Sequence, residues 1–325
     1  MQVEEFNRML ETCIPRKMYQ LDFEEFLIAN DFGKDAIAHL RKSFEQKQPL
    51  APEIHDKVLS LFKRYLLVGG MPDAVNEYLN SHNIVKVREV QEAIRELYGV
   101  DASRYEEDAA KKLYIRRIYD MIPSQMENKK KRIVAKDILD RKGDRFSNYV
   151  EEFEYMNNSG ITIASHAISN PKYPLAESQQ KNLLKLYMND VGMLTSQLYH
   201  YNIQPILNDI ASINLGSVYE SAVAQELKAH YEKLFYYDNK KGEVDFLVDD
   251  SGTTSVLPIE VKSGKDYTVH SALDNLMSIP DYHIVSSIVL SNEREIKTKG
   301  NILYLPIYYV MFLENKVPEE ENMYF

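Results

Sequence analysis

Three residues whose side chains could carry out hydrolytic chemistry lie on two short stretches of alternating apolar and polar residues. In 244–248 every second residue is apolar, so Asp245 points to the opposite face of a strand. In 257–262 the same alternation puts Glu260 and Lys262 on one face together. An Asp-Asp-Ser-Gly sequence between the two stretches favours a turn. If the strands pair, two carboxylates and one ammonium group converge on one side of the hairpin.

This set is sufficient for metal-assisted hydrolysis of a phosphodiester. Two adjacent carboxylates repel each other unless a cation joins them. Mg²⁺ commonly binds one or two carboxylates and keeps several waters, and a nearby lysine can hold a phosphate or polarise the attacking water. The structural alternative is that any hairpin with one solvated face alternates in this way, and alternation alone favours that alternative.

A further carboxylate precedes the hairpin on a predicted helix that runs from 216 to about 234. At helical spacing Glu220 shares a face with Val223 and Leu227. A carboxylate on an apolar face is unfavourable unless it meets a partner. Glu220 is therefore a charge that interacts with the helix dipole, a member of a buried salt bridge, or a third carboxylate beside Asp245 and Glu260. Helical spacing does not choose among these alternatives.

Composition limits the class of protein. A chain of 325 residues is long enough for two or three domains. The formal net charge of -10 restricts any contact with nucleic acid to local basic patches. The single cysteine, Cys13, excludes an internal disulfide and fits the reducing cytoplasm. The acidic start does not resemble a signal peptide, and no apolar run approaches the length of a membrane span, so we expect no membrane partner.

The element pattern predicts an α+β protein. Helical patterns dominate up to about residue 160, and strands alternate with helices near the end, which is typical of a layered α/β domain. Helices followed by a small hairpin, with strands at 161–164 and 183–194, suggest a winged-helix module. Its basic residues could contact DNA phosphates, although composition alone favours the alternative of a solvated charged loop before a helix. These candidate phosphate contacts are Arg116, Arg117, Lys129, Lys130, Lys131 and Arg132.

Three motifs resemble a family of prokaryotic AAA-type ATPases: LDFEEFLIAN at 21–30, YLLVGGMPDAV at 65–75 and LYMNDVGML at 186–194. The resemblance implies three domains. Residues 1–100 would be the tail of the ATPase domain with its helical lid, 101–204 a winged helix, and 205–325 a nuclease-like domain. The chain contains no Gly-x-x-x-x-Gly-Lys-Ser/Thr phosphate-binding sequence. We therefore expect ATP to bind only through an N-terminal half that is missing here, in a fragment or a truncated reading frame.

The last domain resembles the PD-(D/E)XK nuclease superfamily in YESAVAQEL, GEVDFLV and PIEVKSG, although Val244 replaces the usual proline. The resemblance implies that Glu220, Asp245 and Glu260 hold Mg²⁺ and that Lys262 positions or activates water. We expect a Mg²⁺-dependent deoxyribonuclease with a catalytic set of Asp245, Glu260 and Lys262. The alternative is a catalytically silent domain that binds protein or nucleic acid and regulates the ATPase. Association into a homo-oligomer stays open.

Overall fold

The computed structural model describes residues 17–104, 108–128, 130–208, 215–264 and 266–315. The protein belongs to the α+β class, as predicted. The helices are α1 (Phe23–Ala29), α2 (Lys34–Glu45), α3 (Pro52–Val68), α4 (Pro72–Ser81), α5 (Ile84–Arg104), α6 (Ala109–Glu127), α7 (Ala135–Leu139), α8 (Val150–Asn158), α9 (Val191–Tyr199), α10 (Gln204–Leu207), α11 (Gly216–His230) and α12 (Ser271–Met277). The strands are β1 (Thr162–Ile168), β2 (Gln179–Met188), β3 (Leu234–Asn239), β4 (Gly242–Asp250), β5 (Ser255–Lys262), β6 (Ser287–Ser291), β7 (Lys297–Lys299) and β8 (Ile302–Pro306).

Local sequence determines how α1 begins. Asp22 accepts a hydrogen bond from the backbone N–H of Glu25, and the Glu25 side chain accepts one from the N–H of Asp22. This reciprocal capping satisfies two of the amide groups that a helix leaves unpaired at its start. The sequence of residues 14–21 predicts a short strand before this helix. That prediction is wrong for residues 17–21, which form no strand, and residues 14–16 lie outside the described residues.

Tertiary packing overrides a local signal in α6. The position of Pro123 predicts the end of this helix, because proline lacks an N–H donor, but the helix continues to Glu127. Ile118, Ile122 and Met126 are all buried along this helix. Burial of this apolar face on both sides of the proline stabilises the last turn and offsets the lost hydrogen bond.

All eight strands of the described chain form one mixed sheet in the order β2-β1-β3-β4-β5-β6-β8-β7. The pairs β1–β2, β3–β4, β4–β5 and β7–β8 are antiparallel, and β1–β3, β5–β6 and β6–β8 are parallel. The hairpin expected for a winged helix is thus continuous with the strands of the last predicted domain, across the boundary drawn at residue 204.

The second strand of that hairpin is shorter than predicted. It ends at Met188 instead of continuing to residue 194, because α9 begins at Val191. Asp190 is the reason, since its carboxylate accepts a hydrogen bond from the backbone N–H of Met193 and so caps the helix.

The three motifs of the ATPase resemblance meet at one buried joint. The backbone N–H of Leu21 donates to the carbonyl of Gly70 at 2.9 Å. The N–H of Gly70 in turn donates to Asp190 at 2.6 Å. A Cβ atom at Gly70 would lie 2.0 Å from the carbonyl oxygen of Leu21, which only glycine avoids. These motifs therefore have a structural role, which is to hold the N-terminal segment, the end of α3 and the start of α9 together.

Helix α11 packs on one face of the sheet, and its side chains from Ser217 to Leu227 are all buried. Two acidic residues, Glu220 and Glu226, lie within this buried stretch. Glu226 accepts hydrogen bonds from the N–H of Phe23 and the hydroxyl of Tyr65. It therefore anchors α1 to the helix that also positions Glu220. Within the described residues, no helix has the length and apolar character needed to cross a membrane.

Candidate functional site

A bulge in β4 positions Asp245. The pairing of β3 with β4 shifts between Phe235–Leu247 and Tyr237–Val244. One residue of β3 is therefore opposite two residues of β4, Asp245 and Phe246, which is the geometry of a β-bulge. The extra residue re-aims the side chains that precede it on the strand.

The bulge corrects the expected alternation of β4. Val244 packs with Leu247 in one core cluster, whereas Phe246 and Val248 pack in the other. Residues 244, 246 and 248 therefore do not share a face, as simple alternation predicted. The half-buried carboxylate of Asp245 instead turns along the sheet and accepts a hydrogen bond of 2.8 Å from the backbone N–H of Val261 on β5.

Glu260 and Lys262 on β5 complete the predicted set. The ammonium nitrogen of Lys262 lies 2.7 Å from Oε1 of Glu260. The Glu260 side chain is buried, while that of Lys262 is 26% exposed and reaches the surface. The other oxygen of Glu260, Oε2, is buried without a hydrogen-bond partner among the residues described. Asp245, Glu260 and Lys262 thus form a half-open group with one unsatisfied buried acceptor.

Electrostatics distinguish these carboxylates from ordinary surface acids. Burial, and then the negative charge of Asp245, raise the pKa of Glu260 to about 8. Burial, and then the charge of Glu220, raise the pKa of Asp245. Glu260 is buried and Asp245 is half-buried, both have raised pKa values, and one oxygen of Glu260 has no partner among the described residues, so this pair favours an added cation. Asp245 and Glu260 therefore fit the oxygen ligands of a divalent cation.

Glu220 has a different environment. Its Oε1 accepts hydrogen bonds from Lys185 at 3.0 Å and from the hydroxyl of Tyr187 at 2.6 Å. Its Oε2 contacts the ammonium group of Lys131. Burial alone would raise the pKa of Glu220, but Lys185 and Lys131 outweigh burial and lower it to about 2. Both oxygens of this carboxylate are thus already satisfied by cationic and hydroxyl donors.

Lys185 connects Glu220 to one more acid. Its side chain has 0% exposure, and its ammonium nitrogen lies 2.6 Å from Oε1 of Glu243 as well. Burial alone would lower the pKa of Lys185, yet the charges of Glu220 and Glu243 raise it, so the lysine stays protonated. The ammonium groups of Lys131 and Lys185 therefore supply Glu220 with the positive charge that the sequence resemblance assigned to a metal ion.

The described part of the chain contains no group of three or more His, Cys, Asp or Glu side chains arranged to hold a metal ion. The expected ligand set of Glu220, Asp245 and Glu260 is therefore not assembled as a threefold site. Asp245 and Glu260 are the pair left available, and their role as ligands stays a prediction.

The six candidate phosphate contacts divide into three groups. Lys130, Lys131 and Arg132 form ion pairs with acids that follow residue 215. Arg117 donates to the carbonyl of Ile138, and Arg116 lies 3.9 Å from Asp120 with 73% of its side chain exposed. Lys129 lies outside the described residues. The prediction of DNA contacts stays untested, and four of the six residues already have acidic partners.

Sequence reasoning missed Lys185, Tyr187 and Glu243. Lys185 interrupts the apolar run LLKLYM, and a charge inside a buried strand implies a buried partner of opposite sign. Glu220 showed the complementary anomaly on its helix. Matching the two anomalies would have predicted the ion pair.

Two family models match the chain. One, described as a domain of unknown function (DUF8612), matches residues 59–201. The other, described as a domain of unknown function (DUF4143), matches residues 215–310. The latter domain is commonly found at the C-terminus of AAA-ATPase-like proteins. No curated protein and no solved structure matches the chain.

Proposed function

We propose that this chain is the C-terminal region of an AAA-type ATPase and that its last domain cleaves DNA in the presence of Mg²⁺. One observation carries the proposal: Asp245 and Glu260 form a carboxylate pair with raised pKa values beside Lys262, and one buried oxygen of Glu260 lacks a partner among the residues that the structure describes. A divalent cation is the ligand that such a pair favours.

Asp245 and Glu260 would hold the ion. When bound, Mg²⁺ supplies Lewis-acid polarisation of a phosphate and lowers the pKa of a bound water. The chain itself contributes three things. The N–H of Val261 fixes the orientation of the Asp245 carboxylate. The short contact with Glu260 holds the ammonium group of Lys262 beside the pair. Because Lys262 is partly exposed, it is available to a phosphate that approaches from solvent.

Calorimetric titration with Mg²⁺ and Mn²⁺ tests the metal site directly. We expect binding to be lost in Asp245→Asn and in Glu260→Gln. Asp250→Asn is the matched control, because Asp250 lies at the far end of β4, the strand that carries Asp245. This variant should bind metal as the unmodified chain does. Supercoiled DNA at low salt then tests cleavage, which should disappear in Asp245→Asn. Absence of metal uptake by the folded chain would contradict the proposal.

A second candidate function follows from Glu220. Because Lys131, Lys185 and Tyr187 occupy both of its oxygens, the fold would serve as a regulatory binding platform of the ATPase without cleaving anything. The same titration separates the two candidates, since a platform need not bind Mg²⁺. If the chain binds neither metal ion yet stays folded, the platform is favoured.

A further inference from the structure

A groove lies along the basic segment, residues 130–132, that precedes α7. Its volume is about 880 Å³, and its walls include Lys130, Arg132, Arg145, Phe146 and Asn182. None of its lining residues, as far as the structure describes them, is acidic. In a chain of net charge -10, a groove lined by three cations and no anion is a local exception, and its positive potential favours an anionic occupant.

The basic segment contributes to both the groove and the acidic site. Lys131 has φ of +49°, in the left-handed region that a residue with a side chain seldom adopts. Lys130 and Arg132 line the groove, whereas Lys131 reaches Glu220 on the other side. A strained backbone that persists must be held by its surroundings and is often found at functional sites. Here the ion pair of Lys131 holds the segment so that its neighbours line the groove.

The groove keeps a positive charge balance despite the ion pairs. Lys130 and Arg132 both contact Asp238, and Arg132 also lies 4.0 Å from Glu243. In this network four cations, Lys130, Lys131, Arg132 and Lys185, contact three acids, Glu220, Asp238 and Glu243. Lys130 is also 57% exposed. Arg145 adds a third cation to the groove walls, and its side chain makes no ion pair with the residues that the structure describes. A polyanion therefore finds uncompensated charge here.

The remaining walls favour nucleobases over an acidic peptide. Phe146 is stacked on Phe153, with ring centroids 4.6 Å apart and an angle of 26° between the planes. This contact fixes a half-buried aromatic ring at the groove, and bases stack on such rings. The side chains of Gln125, Asn128 and Asn182, also in the lining, carry the donors and acceptors that base edges use. Bases reach such positions only when they are unpaired.

We propose that this groove binds a single strand of nucleic acid and leads it toward Asp245, Glu260 and Lys262. The proposal deepens the proposed function by naming the form of its substrate. Arg132 supports this path, because it lines the groove and also lies 4.0 Å from Glu243. Glu243 is in turn near Asp245, since burial, and then the charges of Glu220 and Asp245, raise its pKa.

Fluorescence anisotropy with a labelled oligothymidylate of about 15 nucleotides tests the groove, in buffer with EDTA so that cleavage does not interfere. Arg145→Gln should weaken binding and reduce the slope of log K against log salt by about 0.7, the value for one phosphate contact on a single strand. Arg64→Gln removes an equal charge from an exposed residue outside the groove and should change neither quantity. Phe146→Leu should weaken binding about tenfold and keep the salt slope, because it removes stacking and no charge. Circular dichroism confirms that each variant is folded.

Three results would overturn the proposal: no binding at low salt, equal losses in Arg145→Gln and Arg64→Gln, or labelled polyglutamate binding as tightly as the oligonucleotide without dependence on Phe146. Asp245→Asn separates this proposal from the metal site, since it should bind the strand normally. If the chain takes up Mg²⁺ but the Arg145 variant binds the strand unchanged, the groove proposal alone fails.

Discussion

Replacement of Lys185 by methionine removes the ammonium group between Glu220 and Glu243 while keeping most of the side-chain volume. In the unmodified chain this nitrogen lies 3.0 Å from Glu220 and 2.6 Å from Glu243, and the lysine is fully buried. Methionine offers neither carboxylate a hydrogen bond. Glu220 keeps Lys131 and Tyr187 as donors, but Glu243 loses its closest cation.

Removing one partner of a buried ion pair typically costs about 3–5 kcal/mol, because the other charge stays buried without compensation. Burial raises the pKa of Glu220, and Lys185 and then Lys131 outweigh burial and lower it, so Lys131 keeps part of the stabilisation in the variant. Lys181, on β2 like Lys185, is exposed. Lys181→Met is therefore the matched control and should change stability by less than about 0.5 kcal/mol.

Urea unfolding at neutral pH, followed by circular dichroism, measures both variants. The double variant Lys185→Met/Glu220→Gln should recover part of the loss, since the neutral amide no longer needs a cation, and the cycle gives the coupling energy. The lowered pKa of Glu220 determines how stability changes with pH. A carboxyl group whose pKa is lower in the folded protein stabilises the fold at pH values above its unfolded pKa, and this stabilisation is lost as the pH falls. The deficit of Lys185→Met should therefore shrink as pH falls below about 4.5 toward 2. A loss no greater than that of Lys181→Met would refute the assignment of Glu220 to a structural ion pair.

Two further predictions concern stability. The pKa of Glu260 is about 8 in the folded protein, compared with its ordinary value of 4.5. Its contribution to the free energy of unfolding is therefore full below pH 4.5 and is lost as the pH rises, by up to about 4 kcal/mol at pH 8. In EDTA, Glu260→Gln should lack this loss in unfolding free energy, and parallel pH profiles would contradict the raised pKa. Gly70→Ala should cost at least about 1–3 kcal/mol, because its Cβ would meet the backbone of Leu21. Gly33→Ala has open space and is its control, and equal urea midpoints for the two would refute the close approach.

The hairpin was predictable because its signals are local. Alternation over 257–262 and the turn residues before it gave β5 and the shared face of Glu260 and Lys262. The bulge at Asp245 was not predictable in this way. It arises from pairing with β3, and β3 was missed because Leu234–Asn239 follows directly on a strong helical pattern. One extra residue in a strand leaves no local mark in the sequence, yet it decides where the carboxylate points.

The partners of Glu220 could not be predicted from the sequence for a different reason. Its helix and its buried face followed from spacing, and a buried salt bridge was one of the alternatives left open. The choice among them depends on Lys131 and Lys185, which precede Glu220 by 89 and 35 residues. Which distant cation reaches a given acid is set by the order of strands in the sheet and by the path of the loop before α7. Neither quantity is encoded within a few residues of the acid.

The distribution of charge across the two matched regions bears on how the candidate site should be studied. Every donor to Glu220 named here, Lys131, Lys185 and Tyr187, falls within residues 59–201, and Glu220 itself falls within 215–310. The sheet also crosses between the two regions, through the pairing of β1 with β3. A piece containing only 215–310 would leave Glu220 as a buried carboxylate without a cation, which a metal ion could then satisfy. Metal uptake by such a piece would therefore say nothing about the whole chain, and the titrations need both regions together.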